Sequence, residues 1–195
     1  MLKITFSPKG ATELTDKYCR LVLTEDPASW HRLVETSEGK LEYRMGTGKR
    51  EEITPRTFRT LIRSIVQAAK AHQLENLVLD FSDLDFPSLL TQGENWLAST
   101  LLENIIMADY EFKTYKTKKE TKKTLKEIII CGDFSSEVKT GFKRGQILGL
   151  GVNEAREIAN TPACDMKPSR LAEVAIKLGK EAKFSVQVLG EKEIR

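Results

Sequence analysis

Two histidines are the residues of this sequence best suited to bind a transition metal, because imidazole is the commonest metal ligand in proteins. They are His31 and His72. Neither has a second ligand-type residue at helical or loop spacing, and the His-Glu-x-x-His pattern does not occur. His31 falls in a candidate strand, and His72 follows an amphipathic helix. The sequence therefore predicts a solvent-facing His72 and assigns no metal ligand.

Three aspartates cluster after a short apolar run, and carboxylates in such positions serve some active sites. They are Asp80, Asp83 and Asp85. A group of carboxylates can hold a pair of divalent ions. Aspartate is also a frequent turn residue, because its side chain accepts hydrogen bonds from nearby backbone N–H groups. The sequence favours a solvated loop with turn-forming aspartates over a metal site.

The patterns for nucleotide binding and nucleophilic catalysis are incomplete. Gly149-Leu150-Gly151 supplies only Gly-x-Gly, inside a helical stretch, and lacks the rest of a phosphate-binding motif. No Gly-x-Ser-x-Gly elbow occurs. The three cysteines, Cys19, Cys131 and Cys164, have no Cys-x-x-Cys spacing, so neither a zinc ribbon nor a disulfide framework is predicted. Cys131 ends an apolar run as a buried small residue, and Cys164 has no histidine near it in sequence.

The clearest charged feature is the stretch from Lys113 to Lys126. Lysines combined with aromatic side chains can bind a nucleic-acid backbone and stack on bases. The sequence favours an exposed loop, because glutamates interrupt the stretch and the net charge of the chain is only +3. A nucleic-acid-binding module remains the alternative. The residues concerned are Lys113, Lys116, Lys118, Lys119, Lys122, Lys123 and Lys126, with Tyr110, Phe112 and Tyr115 beside them.

The candidate residues above are positioned by strands and helices that alternate along the chain. Strand periodicity or short apolar runs predict strands, and apolar residues three and four apart predict helices. The predicted strands are residues 2–6, 18–24, 30–36, 40–45, 77–81, 125–131 and 184–188. The predicted helices are residues 55–70, 94–109, 135–160 and 168–182, with the first turn of another at 191–195. This order predicts the α/β class, with a mixed, largely parallel sheet flanked by helices.

Two local signals refine the helices. Thr54 is a good N-cap, and Pro55 fits the first helical position. Gly141, Gly145 and Gly149 recur every four residues in the third helix, where each costs about 1 kcal/mol relative to alanine. Their common stripe predicts close approach of another backbone, with a kinked or broken helix as the alternative.

Composition predicts a soluble protein of the cytoplasm. Hydrophobic residues make up 40% of the chain and charged residues 30%, as in ordinary globular proteins. The alternating start at residues 2–6 lacks the apolar region of a signal peptide. No window has the ~18 apolar residues of a membrane span. An odd number of cysteines is typical of a reducing compartment.

Two segments resemble the leucyl (cytosol) aminopeptidase family. Residues 108–119 carry aromatics followed by Tyr115-Lys116 and further lysines, similar to a helix-end segment of that family. Residues 151–162 contain an Ala-Arg-x-x-x-Asn-Thr-Pro junction, and residues 167–172 then start a helix at a proline. Lys167 stands where the family commonly has a capping threonine. The resemblance covers roughly residues 75–195.

The resemblance implies the N-terminal, non-catalytic domain of a cytoplasmic, hexameric aminopeptidase that uses two divalent ions, Mn or Zn, to hydrolyse peptides. The implied fold is similar to macro domains. The family's metal-binding and catalytic motifs are not found in this sequence, so no catalytic, cofactor-binding or metal residue is assigned. Its implied partners are its own catalytic domain, further copies of the protein and a peptide substrate.

The implied domain organisation has three parts. Residues 1–134 form the N-terminal α/β domain, residues 135–162 a long linker helix, and residues 163–195 the beginning of a truncated catalytic domain. This fragment is expected to be inactive alone and to serve assembly or active-site access. A macro-type ADP-ribose binder is a further hypothesis, ranked last because the glycine-rich phosphate loop is missing.

Overall fold

The computed structural model describes residues 2–15, 18–28, 30–117 and 125–194. The strands among these residues are β1 (Lys3–Ser7), β2 (Cys19–Thr24), β3 (His31–Glu35), β4 (Leu41–Gly46), β5 (Asn76–Asp80) and β6 (Glu127–Cys131). The α-helices are α1 (Pro55–Ala71), α2 (Glu94–Asp109), α3 (Ser136–Asn160), α4 (Pro168–Ala182) and α5 (Glu191–Ile194).

The six strands form one mixed sheet in the order β1-β6-β5-β2-β4-β3. Neighbouring strands are parallel except at one edge, where β3 runs antiparallel to β4. The β-branched strand β6 lies between β1 and β5, which suits a continuous apolar run. The predicted α/β class and the largely parallel sheet are therefore confirmed.

The direction of each crossover explains which face of the sheet each connection covers. Right-handed crossovers that advance in one direction along a sheet lie on the same face. The connections through α1 and α2 advance from β4 to β5 and from β5 to β6, and both helices pack in the main core. The connection from β1 to β2 advances the other way. It covers the second face, where Ala11 lies with Val78, Ile129 and Cys131.

Helix α1 begins with a reciprocal cap. The Thr54 hydroxyl accepts a hydrogen bond from the backbone N–H of Thr57 at 3.2 Å, and the Thr54 N–H donates to the Thr57 hydroxyl at 2.8 Å. Two N–H groups that lack helical partners are thereby satisfied. The predicted N-cap at Thr54 is confirmed, and the return bond from Thr57 adds to it.

Three polar side chains of α1 reach across to α2. Arg63 Nε donates to the side-chain oxygen of the buried Asn104 at 2.7 Å, and Gln67 donates to the carbonyl of Ala108 at 2.7 Å. Lys70 Nζ forms an ion pair with Asp109 at 2.9 Å. Sequence spacing alone places Arg63 and Lys70 away from the apolar stripe of α1. Their contacts with α2 show that this flank also belongs to the helix interface.

Helix α3 is continuous from Ser136 to Asn160, so the alternative of a broken helix is wrong. Its three spaced glycines face α2. A methyl group at Gly141 would overlap the carbonyl oxygen of Asn95, and one at Gly145 would overlap that of Ser99. At Gly149 it would lie 2.9 Å from Cβ of Ile106. The predicted close approach of another backbone is confirmed, and α2 supplies it.

The chain divides into two compact units, Met1–Asn153 and Glu154–Arg195. In the second unit α4 begins at Pro168, and Lys167 provides no side-chain cap. The strand predicted at residues 184–188 is wrong, because this segment has no regular secondary structure. A strand needs a hydrogen-bonded neighbour, and no other strand is described in this unit. None of the described helices has the length and apolar composition needed to cross a membrane.

Candidate functional site

The clustered aspartates act mainly in local structure. Both carboxylate oxygens of Asp80, at the end of β5, lie 3.2 Å from the backbone nitrogen of Ala11, which donates to them. Arg50 donates to the backbone carbonyls of Asp83 at 2.9 Å and Asp85 at 2.8 Å. The Arg50 guanidinium also lies 4.5 Å from the centre of the Phe86 ring. These contacts join the loop after β5 to the segments before α1 and before β2.

Asp83 is less exposed than a solvated turn residue. Partial burial raises the pKa of its carboxyl group, and the nearby Asp80 raises it further. The expectation of a solvated loop is therefore corrected for Asp83, while Asp85 is exposed. Across residues 2–15, 18–28, 30–117 and 125–194, no three His, Cys, Asp or Glu side chains lie close enough together to hold a metal ion.

The two histidines lie side by side, although they are far apart in sequence. Nε2 of His72 is 3.3 Å from Nδ1 of His31, and the two ring centres are 5.4 Å apart at an interplanar angle of 83°. His72 caps the C-terminus of α1 and is exposed as predicted, and His31 is the first residue of β3. The interpretation that neither histidine has a ligand-type partner considered spacing in sequence only, and the structure corrects it.

The ring of Tyr43 packs beside both histidines. Its centre is 6.1 Å from that of His31 and 5.7 Å from that of His72. Burial raises the pKa of the Tyr43 phenol to about 12, so this group is neutral at physiological pH. Its buried hydroxyl has no hydrogen-bond partner within the described part of the chain. This cluster of three rings is the arrangement that sequence reasoning missed, and no local pattern signals it.

Two of the cysteines are unreactive. Burial raises the pKa of the thiols of Cys19 and Cys131 to about 11 in each case, so both are thiols at neutral pH. The prediction of a buried Cys131 is confirmed. Cys164 is exposed. Gly149-Leu150-Gly151 lies within α3, where the helix uses the backbone N–H groups that a phosphate cradle would need.

The basic stretch is only partly described. Lys113 pairs with Glu111 at 3.0 Å, and Lys126 pairs with Glu75 at 2.6 Å. The rings of Phe112 and Tyr115 contact each other at 5.8 Å between centres. The lysines that lie outside the described residues are Lys118, Lys119, Lys122 and Lys123. Acidic partners therefore offset part of the charge of this stretch.

The fold defines the class of protein, an α/β domain built on a mixed, largely parallel sheet. Residues 43–119 match the model of the cytosol aminopeptidase family, N-terminal domain. This segment runs from β4 through α1, β5 and α2. The chain contains the N-terminal domain of the cytosol aminopeptidase family.

Curated relatives extend the similarity beyond this segment. A probable cytosol aminopeptidase of Persephonella marina is 28% identical over 160 residues, which cover 80% of this chain and 32% of the relative. A probable cytosol aminopeptidase of Histophilus somni is 30% identical over 154 residues, which cover 77% of this chain and 30% of the relative. The chain thus spans about a third of the length of the curated relatives that it matches.

Solved structures share the fold. A tomato leucine aminopeptidase variant superposes over 100% of this chain and 45% of its own with a TM-score of 0.79 at 17% identity. The bottromycin maturation enzyme BotP superposes over 100% of this chain and 40% of its own with a TM-score of 0.70, also at 17% identity. At these identities the likeness establishes the fold alone.

Proposed function

We propose that this chain is the N-terminal, non-catalytic part of a leucyl aminopeptidase that hydrolyses N-terminal residues from peptides in the cytoplasm. The observation that carries the proposal is the match of residues 43–119 to the N-terminal domain of the cytosol aminopeptidase family. The relatives, which are probable cytosol aminopeptidases, support the peptidase activity and the compartment.

The two divalent ions of such an enzyme, Mn or Zn, would belong to its catalytic domain. Metal ions of this kind polarise the scissile carbonyl and activate a water molecule. The described residues of this chain do not fit a binuclear centre, since no three potential ligands come together. The fragment is therefore expected to be inactive alone and to act in assembly or in access to the active site.

The burial pattern of the second unit favours the presence of a partner domain. Among residues 154–194 only Gly179 is buried, so this unit has no hydrophobic core of its own. A unit of this size without a core needs additional protein for stability. We infer that residues 163–195 begin the catalytic domain and that residues 135–162 are the linker, in a parent that assembles as a hexamer. The large apolar side chains exposed in the second unit are Leu171, Ile176, Phe184, Val188, Leu189 and Ile194.

An activity assay tests the proposal directly. The purified chain is incubated with a leucyl chromogenic amide in the presence of Mn²⁺ or Zn²⁺, with a full-length cytosol aminopeptidase as the positive control. We expect no hydrolysis above that of buffer with metal, because the described residues bring no three potential metal ligands together. Hydrolysis that scales with the amount of pure fragment and disappears with a chelator would contradict the proposal.

The nucleic-acid alternative has no support from the comparisons, which match peptidase families and peptidase folds. Partial pairing of Lys113 and Lys126 with glutamates also reduces the available charge. A gel-shift titration at low salt decides it, with Lys118, Lys119, Lys122 and Lys123 replaced by glutamine as the matched variant. Binding that weakens steeply with salt and is lost in the variant would support the nucleic-acid-binding alternative.

A further inference from the structure

The His31–His72 pair has the separation that one tetrahedral ion requires. Zinc–nitrogen bonds of 2.0–2.1 Å at a tetrahedral angle place two ligand nitrogens about 3.3–3.4 Å apart. The observed distance between His72 Nε2 and His31 Nδ1 is 3.3 Å. We propose that these two nitrogens form a binding site for a borderline divalent ion of the Zn²⁺ class, with water in the remaining coordination positions.

The two neutral imidazole rings can both bind an ion without either ring losing its N–H proton, because each ring has two tautomers. In the hydrogen-bonded pair one of the facing nitrogens carries the shared proton. A neutral imidazole can instead carry its proton on the opposite nitrogen, which is Nδ1 for His72 and Nε2 for His31. Both facing lone pairs are then free for the ion, and both rings are exposed, which leaves room for them to rotate toward it.

The backbone holds both histidines in place before an ion binds. The N–H of His72 donates to the carbonyl of Ala68 at 2.9 Å and closes the last turn of α1. His31 lies opposite Met45 in the antiparallel ladder of β3 and β4. The buried Tyr43 ring packs beside both imidazoles and limits their rotation inward. Ligands fixed by secondary structure lose less entropy on binding, which favours affinity.

A pair of ligands separated by 41 residues gives the site a structural role. An ion at this position would join the edge strand β3 to the end of α1, and binding to the folded state alone stabilises it by mass action. Two protein ligands are fewer than the three of catalytic zinc sites and the four of structural ones, so this site would bind its ion more weakly than either type. The site is therefore separate from peptide hydrolysis, and its existence does not depend on the proposed function of the parent enzyme.

A Zn²⁺ titration followed by NMR tests the proposal. The untagged chain carries Cys164→Ser, which removes the exposed thiol as a competing ligand. His31 and His72 are the only histidines of the chain, so the two sets of imidazole signals can be assigned by single substitutions. We expect both sets to shift along one binding curve with one ion per chain. Mg²⁺, which prefers oxygen ligands, is the control ion and is expected to shift neither.

Variants His31→Gln and His72→Gln provide the matched comparison, with circular dichroism to verify that each folds. We expect each to weaken Zn²⁺ binding at least about tenfold, the smallest loss usual even for an outer-sphere partner. Unchanged affinity in either folded variant, or a shift of only one histidine in the parent, would overturn the proposal. If a variant fails to fold, the joint titration of both histidines in the Cys164→Ser chain remains decisive.

Discussion

At the scale of single residues, the glycines of α3 show that one amino acid can serve opposite roles in one helix. Gly145 lies against the carbonyl oxygen of Ser99, so hydrogen is the only side chain that fits. At Gly151 no described residue beyond its own stretch of helix lies within 4 Å of the position where a methyl group would stand. The first glycine is required by packing, and the second only lowers the helical propensity.

The substitutions Gly145→Ala and Gly151→Ala should therefore have opposite effects on the free energy of unfolding. We expect Gly151→Ala to stabilise the protein by about 0.5–1 kcal/mol, because alanine has less backbone entropy to lose. We expect Gly145→Ala to destabilise it by about 1–3 kcal/mol, since α3 must move away from α2. Urea unfolding at equilibrium measures both. Equal effects of the two substitutions would show that the close contact is not important for stability.

At the scale of elements, helix ends differ in how well their backbone groups are satisfied. Thr54 and Thr57 cap α1 reciprocally, and polar side chains of α1 join it to α2. Helix α4 starts at Pro168 after Lys167, whose side chain accepts no backbone hydrogen bond because an ammonium group has only donors. The backbone of Lys167 already has the extended conformation of an N-cap residue, with φ −70° and ψ 160°.

Lys167→Thr should consequently strengthen α4. A threonine hydroxyl at this position can accept the N–H groups of the first turn, which is worth about 0.5–1 kcal/mol. We expect slower amide hydrogen exchange in Pro168–Ala182. Lys177→Thr, inside the same helix, is the matched control and should accelerate exchange, because threonine has the lower helical propensity. Similar exchange rates in the two variants would contradict a capping effect.

At the scale of the whole molecule, burial is distributed unevenly between the two units. The first unit has a continuous core that includes Tyr43, Phe58, Leu101 and Ile128, all of them buried. The second has helices but no buried side chain among residues 154–194. Isolated helices of about 12–15 residues are marginal in water, so α4 depends on packing that this unit does not supply by itself.

Hydrogen exchange of the whole chain should show this difference. We expect amides of α1 to exchange through openings close in free energy to global unfolding, and amides of α4 through openings of much lower free energy. Exchange measured residue by residue by NMR compares Pro55–Ala71 with Pro168–Ala182 in one sample. Equal protection of the two helices would show that residues 154–194 are stabilised without a further domain.

The sequence by itself determined the class of fold, the bounds of the four long helices to within one or two residues, and the presence of a close helix contact at Gly141, Gly145 and Gly149. These features depend on periodicity and on local stereochemistry, which neighbouring residues encode. The strand predicted at residues 184–188 shows the limit of that information, because strand formation requires a partner that periodicity does not reveal.

Only the tertiary structure brought His31 and His72 together and placed Lys70 on Asp109. Each of these contacts joins residues about 40 positions apart, and their meeting depends on the crossing of α1 over the sheet and against α2. Such long-range contacts follow from packing of whole elements, since no local pattern distinguishes a histidine that faces another from one that faces water. The candidate metal site therefore belongs to the fold, whereas the family resemblance belongs to the sequence.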